Sequence, residues 1–349
     1  MSAGAYHSII LDASGVVWTC GDNRFGQLGI TNALGTCSLQ QVKFSTHIKS
    51  VAANDHSIFL DVEGGVWCCG VNNHGQLGLG HREPINKPTK NENILPIQSV
   101  SLSGTHSLFL DYEGLVWVCG GSFINQPDSS MKQYQPIPTL IPNLPKISMI
   151  AAGGNHSLFL DINGTVWGAG QNKWGQLGMG EEEYVVLPQQ MIAPTITSVW
   201  AGERISALID VNGCVWKCGT IDVSKEKNST LKRVDVPKIM QAAAFGEKCE
   251  IYLDEEGGVW MCGAITLWAG APSDNLVKLE NIPPMESITI SQSHSFFVDT
   301  EGRIWGCGIN LRGQLGLPQR TPLHLSVLPN FPWVVRRKWL GTKSARKGN

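Results

Sequence analysis

The sequence predicts an all-β fold, a single seven-bladed β-propeller built from four-stranded antiparallel blades. Two observations carry that expectation. A Val-Trp or Ile-Trp pair recurs at Trp18, Trp67, Trp117, Trp167, Trp216, Trp260 and Trp305, with spacings of 49, 50, 50, 49, 44 and 45 residues, so seven copies fill a chain of 349 residues. Six positions before each tryptophan stands an aspartate (Asp12, Asp61, Asp111, Asp161, Asp210, Asp254, Asp299), and three positions after each aspartate a glycine, from Gly15 to Gly302. Self-similarity at a fixed period of this size marks a repeat architecture.

The elements of one copy follow in order. Asp-x-x-Gly suits a type I turn, because the aspartate can accept from the turn's own backbone and glycine tolerates positive φ at the last position. Apolar runs such as Ser107-Leu108-Phe109-Leu110 precede the turn and Val166-Trp167 types follow it, so a hairpin is expected there. Beyond it comes Gly-Gln-Leu-Gly at Gly26, Gly75, Gly175 and Gly313, then a proline-punctuated run, then a segment such as Leu95 to Val100, which leaves room for two more strands. Four strands without helical periodicity match a propeller blade, which hides its sheet edges by radial repetition. The chain starts in mid-repeat, so the segment from Val327 to Val335 is expected to join the blade of residues 5–20, the N- and C-terminal segments sharing one blade. Residues 1–340 then form one domain and 341–349 a basic tail.

Composition narrows the function classes. Only 16% of residues are charged, with 39 glycines and 12 tryptophans, against about 25% charged in an average soluble protein. A net charge of −2 gives no global attraction to nucleic acid or acidic membranes. The exception is the end of the chain, where Arg336, Arg337, Lys338, Lys343, Arg346 and Lys347 crowd together. A solvated tail is the plain reading, and nuclear import or phosphate binding the other; nucleic acid or chromatin is expected to be met only through it. No signal peptide and no apolar run long enough for a membrane helix stand in the sequence. The expectation is an intracellular monomer, cytoplasmic and/or nuclear, with no membrane contact.

Most residue types that suggest chemistry are absorbed by the repeat. His7, His56, His106, His156 and His294 each precede a serine eleven residues before the repeat tryptophan. One His-Ser pair per blade reads as a hydrogen bond within its blade rather than a nucleophile and its base. Six cysteines, from Cys20 to Cys307, share one slot two residues after the tryptophan and read as small buried hydrophobes. No Cys-x-x-Cys suggests zinc, each aspartate is used by its own turn, and the repeat tryptophans read as core. Trp174, Trp200 and Trp268 stand outside the repeat slot and read singly as packing residues. Gly-Gln-Leu-Gly lacks the Lys-Ser/Thr of a P-loop. No catalytic residue, metal site or cofactor is expected.

The combination of Asp-x-x-Gly in all seven copies with His-Ser in five, Trp-x-Cys-Gly in six, Asn and Gly-Gln-Leu-Gly in four, at this period, resembles the regulator of chromosome condensation family of propellers along essentially the whole chain. That resemblance implies a seven-bladed ring and a choice of roles: nucleotide exchange on the small GTPase Ran, interaction domains of HECT-type ubiquitin ligases, scaffolds for other GTPases, or ultraviolet-B photoreception. The photoreceptor carries tryptophans just before the repeat histidine, where this chain has Tyr6, Asp55, Thr105 and Asn155, so that role is set aside. In the Ran exchange factor the one or two slots before the histidine line the face that meets the GTPase. The matching positions here make Tyr6, Asn54, Asp55, Thr105, Asn155, Arg204, Lys248 and Ser293 the candidate partner-binding face. Asp55 is the one acidic residue in a histidine-bearing copy, a departure from that pattern. The exchange factor also inserts a β-wedge, and the third copy replaces Gly-Gln-Leu-Gly with a stretch containing Ser122, Phe123, Ile124 and Tyr134, a candidate wedge loop. The function expected is a protein-interaction scaffold, with guanine-nucleotide exchange on a small GTPase as the alternative.

Overall fold

The computed structural model describes the chain apart from residues 32–33, 123, 125–132, 221–226, 247–248, 264–272, 319–322 and 330–349. Its strands form seven separate four-stranded antiparallel sheets, each from consecutive chain. In the second blade the inner strand is Ile48–Ala53, followed by His56–Asp61, Val66–Gly70 and the outer Ile85–Lys90. Every second strand is a run buried on both sides, as in His106–Asp111 and His156–Asp161, because neighbouring blades cover both faces of the sheet. Outer strands are half-exposed and rich in polar residues, such as Asn228–Arg233.

Within each blade the aspartate closes the hairpin as expected. Asp61 Oδ1 accepts the backbone N–H groups of Glu63 and Gly65 at 3.0 and 2.7 Å, and Gly64 N donates to the Asp61 carbonyl with φ at +90°. Asp61 Oδ2 accepts the Trp67 indole N–H at 3.0 Å. The same indole bond recurs at Trp18, Trp117, Trp216, Trp260 and Trp305. In the fourth blade the Trp167 indole N–H is buried without a partner. The repeat tryptophans are therefore half-buried rather than core. Each lies against the apolar interior, and in all but Trp167 the turn holds its polar edge.

The His-Ser pairs bond between blades, not within them. His7 Nε2 meets Ser57 Oγ at 2.8 Å, His56 meets Ser107 at 2.7 Å, His106 meets Ser157 at 3.0 Å, His156 meets Ser206 at 2.9 Å, and His294 meets Ser8 at 2.7 Å. Sequence spacing could not show this, because intra-blade and inter-blade pairs repeat with the same period. Four of these serines donate onward to a glutamine carbonyl of Gly-Gln-Leu-Gly in the preceding blade, at 2.5 to 2.7 Å: Ser57 to Gln27, Ser107 to Gln76, Ser206 to Gln176 and Ser8 to Gln314. A hydroxyl has one proton and a carbonyl only accepts, so the serine oxygen accepts from the ring. This sets the Nε2–H tautomer at His7, His56, His156 and His294. The thiols of Cys20, Cys69, Cys119 and Cys218 point at the same carbonyls. Burial pushes Cys20 and Cys218 up to about 12, so these cysteines are inert, as expected.

The first glycine of Gly-Gln-Leu-Gly fits against the next blade. A Cβ on Gly75 would lie 2.6 Å from Pro136 Cα, one on Gly175 2.7 Å from Ser229 Cα, and one on Gly313 2.5 Å from Cys37 Cα. The last of these crosses from the seventh blade to the first. Where the histidine slot holds Ile205, the facing serine slot holds Glu250, and Lys217 of the fifth blade reaches this buried carboxylate at 3.1 Å. Tyr252 donates to the same carboxylate at 2.6 Å, so an ion pair spans one of the two junctions that lack the imidazole, the other having Cys249 in that slot.

Ring closure differs from expectation where it can be followed. The inner strand of the first blade is Ser2–Ala3, whereas Val327 pairs with Trp305 in the seventh blade and Leu328 N donates to the Ile304 carbonyl. Residues 330–335 of the expected clasp, and the basic tail, lie outside the described residues. The two ends still meet, since Ala3 and Leu328 share one apolar cluster with Phe296 and Leu315.

Burial holds His7, His56, His156 and His294 neutral, with their pKa lowered to about 3. The unfolded chain protonates the same imidazoles near pH 6.5, so it binds more protons between these values and stability falls as pH drops through that window. Each imidazole contributes about 1.4 kcal/mol per pH unit there. The urea midpoint is expected to fall steeply from about pH 6.5 to about pH 4.5, and a flat profile would refute this account. In His156→Ile, which copies Ile205, the slope should lose about a quarter. A second comparison isolates the indole bond: Trp67→Phe should destabilise by about 1–3 kcal/mol more than Trp167→Phe, which has no such bond to lose.

Candidate functional site

The loops between inner and second strands meet at the centre of one face, around a cavity of about 400 Å³ lined by every blade. Its wall is largely glycine and alanine, including Ala53, Gly104, Gly153, Gly154 and Gly202. Two of these glycines lie under carboxylates. A Cβ on Gly104 would lie 2.9 Å from Asp55 Oδ2, and one on Gly154 2.9 Å from Glu203 Oε1. Asp55 therefore leans across the third blade and Glu203 across the fourth. No lysine, arginine or histidine is among the described lining residues. Burial, and then the negative charge of Glu203, raise the pKa of the Asp55 carboxyl above the ordinary value.

The same face carries the loops between third and outer strands. In Asn-x-x-Gly-Gln-Leu-Gly, the Asn Oδ1 accepts the leucine N–H at 2.8 to 3.0 Å in all four intact copies. The Gln Oε1 accepts the N–H of the residue before the first glycine at 2.9 to 3.0 Å. The glutamine thus braces its own loop with its side chain and links to the next blade with its carbonyl. The two residues between Asn and Gly are left to project: Arg24-Phe25, Asn73-His74, Lys173-Trp174 and Leu311-Arg312. Phe25 and Leu311 are exposed. The Arg204 guanidinium lies 5.4 Å and the Lys173 ammonium 5.8 Å from the Trp174 ring centre. Tyr134, exposed on the outer strand of the third blade, stacks with His74 at 5.1 Å beneath the Arg82 guanidinium at 4.3 Å. A small-walled acidic funnel is thus rimmed by aromatic and cationic side chains on braced loops.

Of the residues singled out from the sequence, Asn54, Asp55, Thr105 and Asn155 line the funnel. Tyr6 is exposed but outside the lining, and Arg204 sits on the rim against Trp174. Ser293 turns inward, donating to the Ala5 carbonyl at 2.6 Å across the ring closure. Lys248 lies outside the described residues. In the candidate wedge loop, Ser122 ends the third strand opposite Gln133, Phe123 lies outside the described residues, and Ile124 is fully buried in the apolar core rather than exposed at a tip. Trp200 packs beside the core of the fifth and sixth blades, and Trp268 lies outside the described residues. Trp174 is a half-exposed rim residue, not simply packing. Glu203, Gln292 and the rim pairs were missed. A usable signal existed, since the rim pairs are the variable positions inside an otherwise fixed Asn-x-x-Gly-Gln-Leu-Gly frame.

Sequence models described as the regulator of chromosome condensation (RCC1) repeat match residues 63–110 and 163–209, and a second of the same description matches 1–27, 48–76 and 147–176. No curated protein matches the chain in sequence. Among solved structures, the chain is similar to human WBSCR16, with a TM-score of 0.80 at 19% identity over 89% of this chain and 93% of that one. It is also similar to yeast RCC1 (Prp20) solved bound to Kap60, with a TM-score of 0.79 at 21% identity over 95% and 85%. Prp20p from Saccharomyces cerevisiae, described together with its binding to Gsp1p and histones, gives 0.78 at 21% identity over 91% and 87%. These structures share the fold.

Removing the Glu203 charge should make Asp55 easier to ionise. In Glu203→Gln the Asp55 carboxyl, followed by carbon NMR, is expected to titrate at lower pH than in the parent chain. An unchanged titration would separate the two carboxylates.

Proposed function

Because this chain is an RCC1-like seven-bladed propeller, we propose that it is a protein-docking platform that receives its partner on the funnel face, with a small GTPase as the first class to test. The observation that carries the reading is the gathering of Trp174, Arg204, Tyr134, Arg82 and Phe25 around one acidic opening. Tyrosine, tryptophan and arginine are the types that anchor protein interfaces, and braced loops present them with little ordering cost. The residues that could have served hydrolysis or group transfer are engaged in turns and in the relay between blades. The face therefore offers recognition rather than a nucleophile and base.

Guanine-nucleotide exchange on such a GTPase is the second reading. It is favoured by the similarity to Prp20p, described with its binding to Gsp1p, and needs no covalent chemistry from the propeller. An exchange factor acts by distorting the partner's nucleotide site, for which a rigid face with a few anchoring side chains suffices. Histones, the other ligand described for Prp20p, make chromatin a comparison arm in any binding assay.

Release of a fluorescent guanine nucleotide from a panel of small GTPases separates the readings. Exchange predicts acceleration by the propeller at micromolar concentration, weakened at least about tenfold by Arg204→Glu or Asp55→Lys. Binding of a GTPase without acceleration, lost in the same variants, leaves docking alone. Binding that survives both variants would remove the funnel face from the reading.

A further inference from the structure

The opposite face carries a feature that neither the repeat nor the docking reading uses. There the Asp-x-x-Gly turns and the loops leading into the inner strands join in one hydrogen-bonded belt. Turn glycines of the second to sixth blades accept from the first inner-strand residue of the next blade: Gly64 from Ile97, Gly114 from Ile147, Gly164 from Ile196, Gly213 from Met240 and Gly257 from Met285. The residue after the turn aspartate then bonds back to its own blade's loop, Ile162 N to the Lys146 carbonyl and Val211 N to the Thr195 carbonyl. Side chains along this belt are neighbours because their backbones are tied together.

The residue after the turn aspartate points outward, and in four consecutive blades it is large and apolar. Val62, Tyr112, Ile162 and Val211 are 56%, 56%, 65% and 56% exposed. The intervening loops add Leu95 at 62%, Ile192 at 96% and Ile239 at 48%. In the sixth, seventh and first blades the same slot holds Glu255, Thr300 and Ala13. The turn needs only the aspartate and the glycine, so nothing in the fold calls for an apolar residue here. A band confined to the second to fifth blades is a bounded patch rather than a by-product of the repeat.

Together these residues expose on the order of 800 Å² of mostly apolar surface, about what one partner contributes to a stable interface. The belt side chains are themselves uncharged, while Lys49, 2.7 Å from the Tyr112 hydroxyl, and the exposed Glu63 and Glu113 of the same turns border them, an apolar centre with a polar rim as in stable interfaces. Laid on its own copy about a two-fold axis, such a band can set Lys49 of one copy against Glu63 or Glu113 of the other. We propose that two copies of this chain pair back to back through the belt of the second to fifth blades, leaving both funnel faces open. The pairing is independent of the docking reading, since it uses the other face.

Sedimentation of the full chain from about 1 to about 100 μM tests it. A reversible dimer is expected, and the double variant Ile162→Lys/Val211→Lys should sediment as a monomer with an unchanged melting temperature, since both side chains are exposed turn residues. Trp174→Ala, on the funnel face, should stay dimeric. A parent chain that remains monomeric throughout would overturn the proposal, and so would a dimer that survives the double variant. Loss of the dimer in Trp174→Ala with retention in the double variant would place self-association on the funnel face and likewise overturn it.

Discussion

The ring rests on one repeated contact, the passage of a histidine N–H to a serine of the next blade and of that serine's proton to a backbone carbonyl of the first. Apart from backbone hydrogen bonds at the rims of the two faces, such as Ile97 N to the Gly64 carbonyl, its sheets would otherwise meet through side-chain packing. Burying imidazole and hydroxyl at these junctions would be costly if either were left unpaired. Because each blade supplies what its neighbour lacks, the contact is satisfied only when blades sit in the right order and at the right height. The seventh junction, from His294 to Ser8, obeys the same geometry.

That contact also shapes the functional face. Joining blades through the Gln-Leu backbone draws the Asn-x-x-Gly-Gln-Leu-Gly loops to one side and braces them, leaving only two projecting residues per loop. Close approach at the centre admits glycine and alanine, and so makes a funnel into which Asp55 and Glu203 fold. The opposite face is made by the turns, where aspartate and glycine do all the backbone work and the intervening side chain is free to vary. Two distinct surfaces, one polar with aromatic anchors and one apolar, follow from the two ends of the same strands.

Legibility in the sequence tracked how local each interaction is. Asp61, Gly64 and Trp67 lie within seven residues, and their turn and strand pairing could be read directly. His56 and Ser107 touch across half a hundred residues, at a separation equal to the repeat, so the periodic pattern concealed which copy bonds which. Asn54 and Asp55 were found through the family resemblance, which implies that the slots before the histidine line the binding face. Glu203 was passed over because the neighbouring Arg204 occupies the slot nearer the histidine position. Ile124 was taken for part of a loop tip, but burial against Leu108 and Ile150 depends on the neighbouring blade and leaves no mark on local pattern.

The sequence by itself determined the all-β class, the number of blades, the turn in each and the inertness of the repeated histidines, cysteines and aspartates as chemistry. All of these rest on spacing within one copy, which a linear pattern records. Tertiary structure alone decided that the His-Ser pair is a bond between blades and that Val327 pairs in the seventh blade rather than the first. It also gathered the rim residues around one acidic funnel and lined up the exposed apolar turn residues on the other face. Those outcomes depend on which copies become neighbours and which side of the disc a loop takes, and close packing of the blades, not spacing along the chain, sets both.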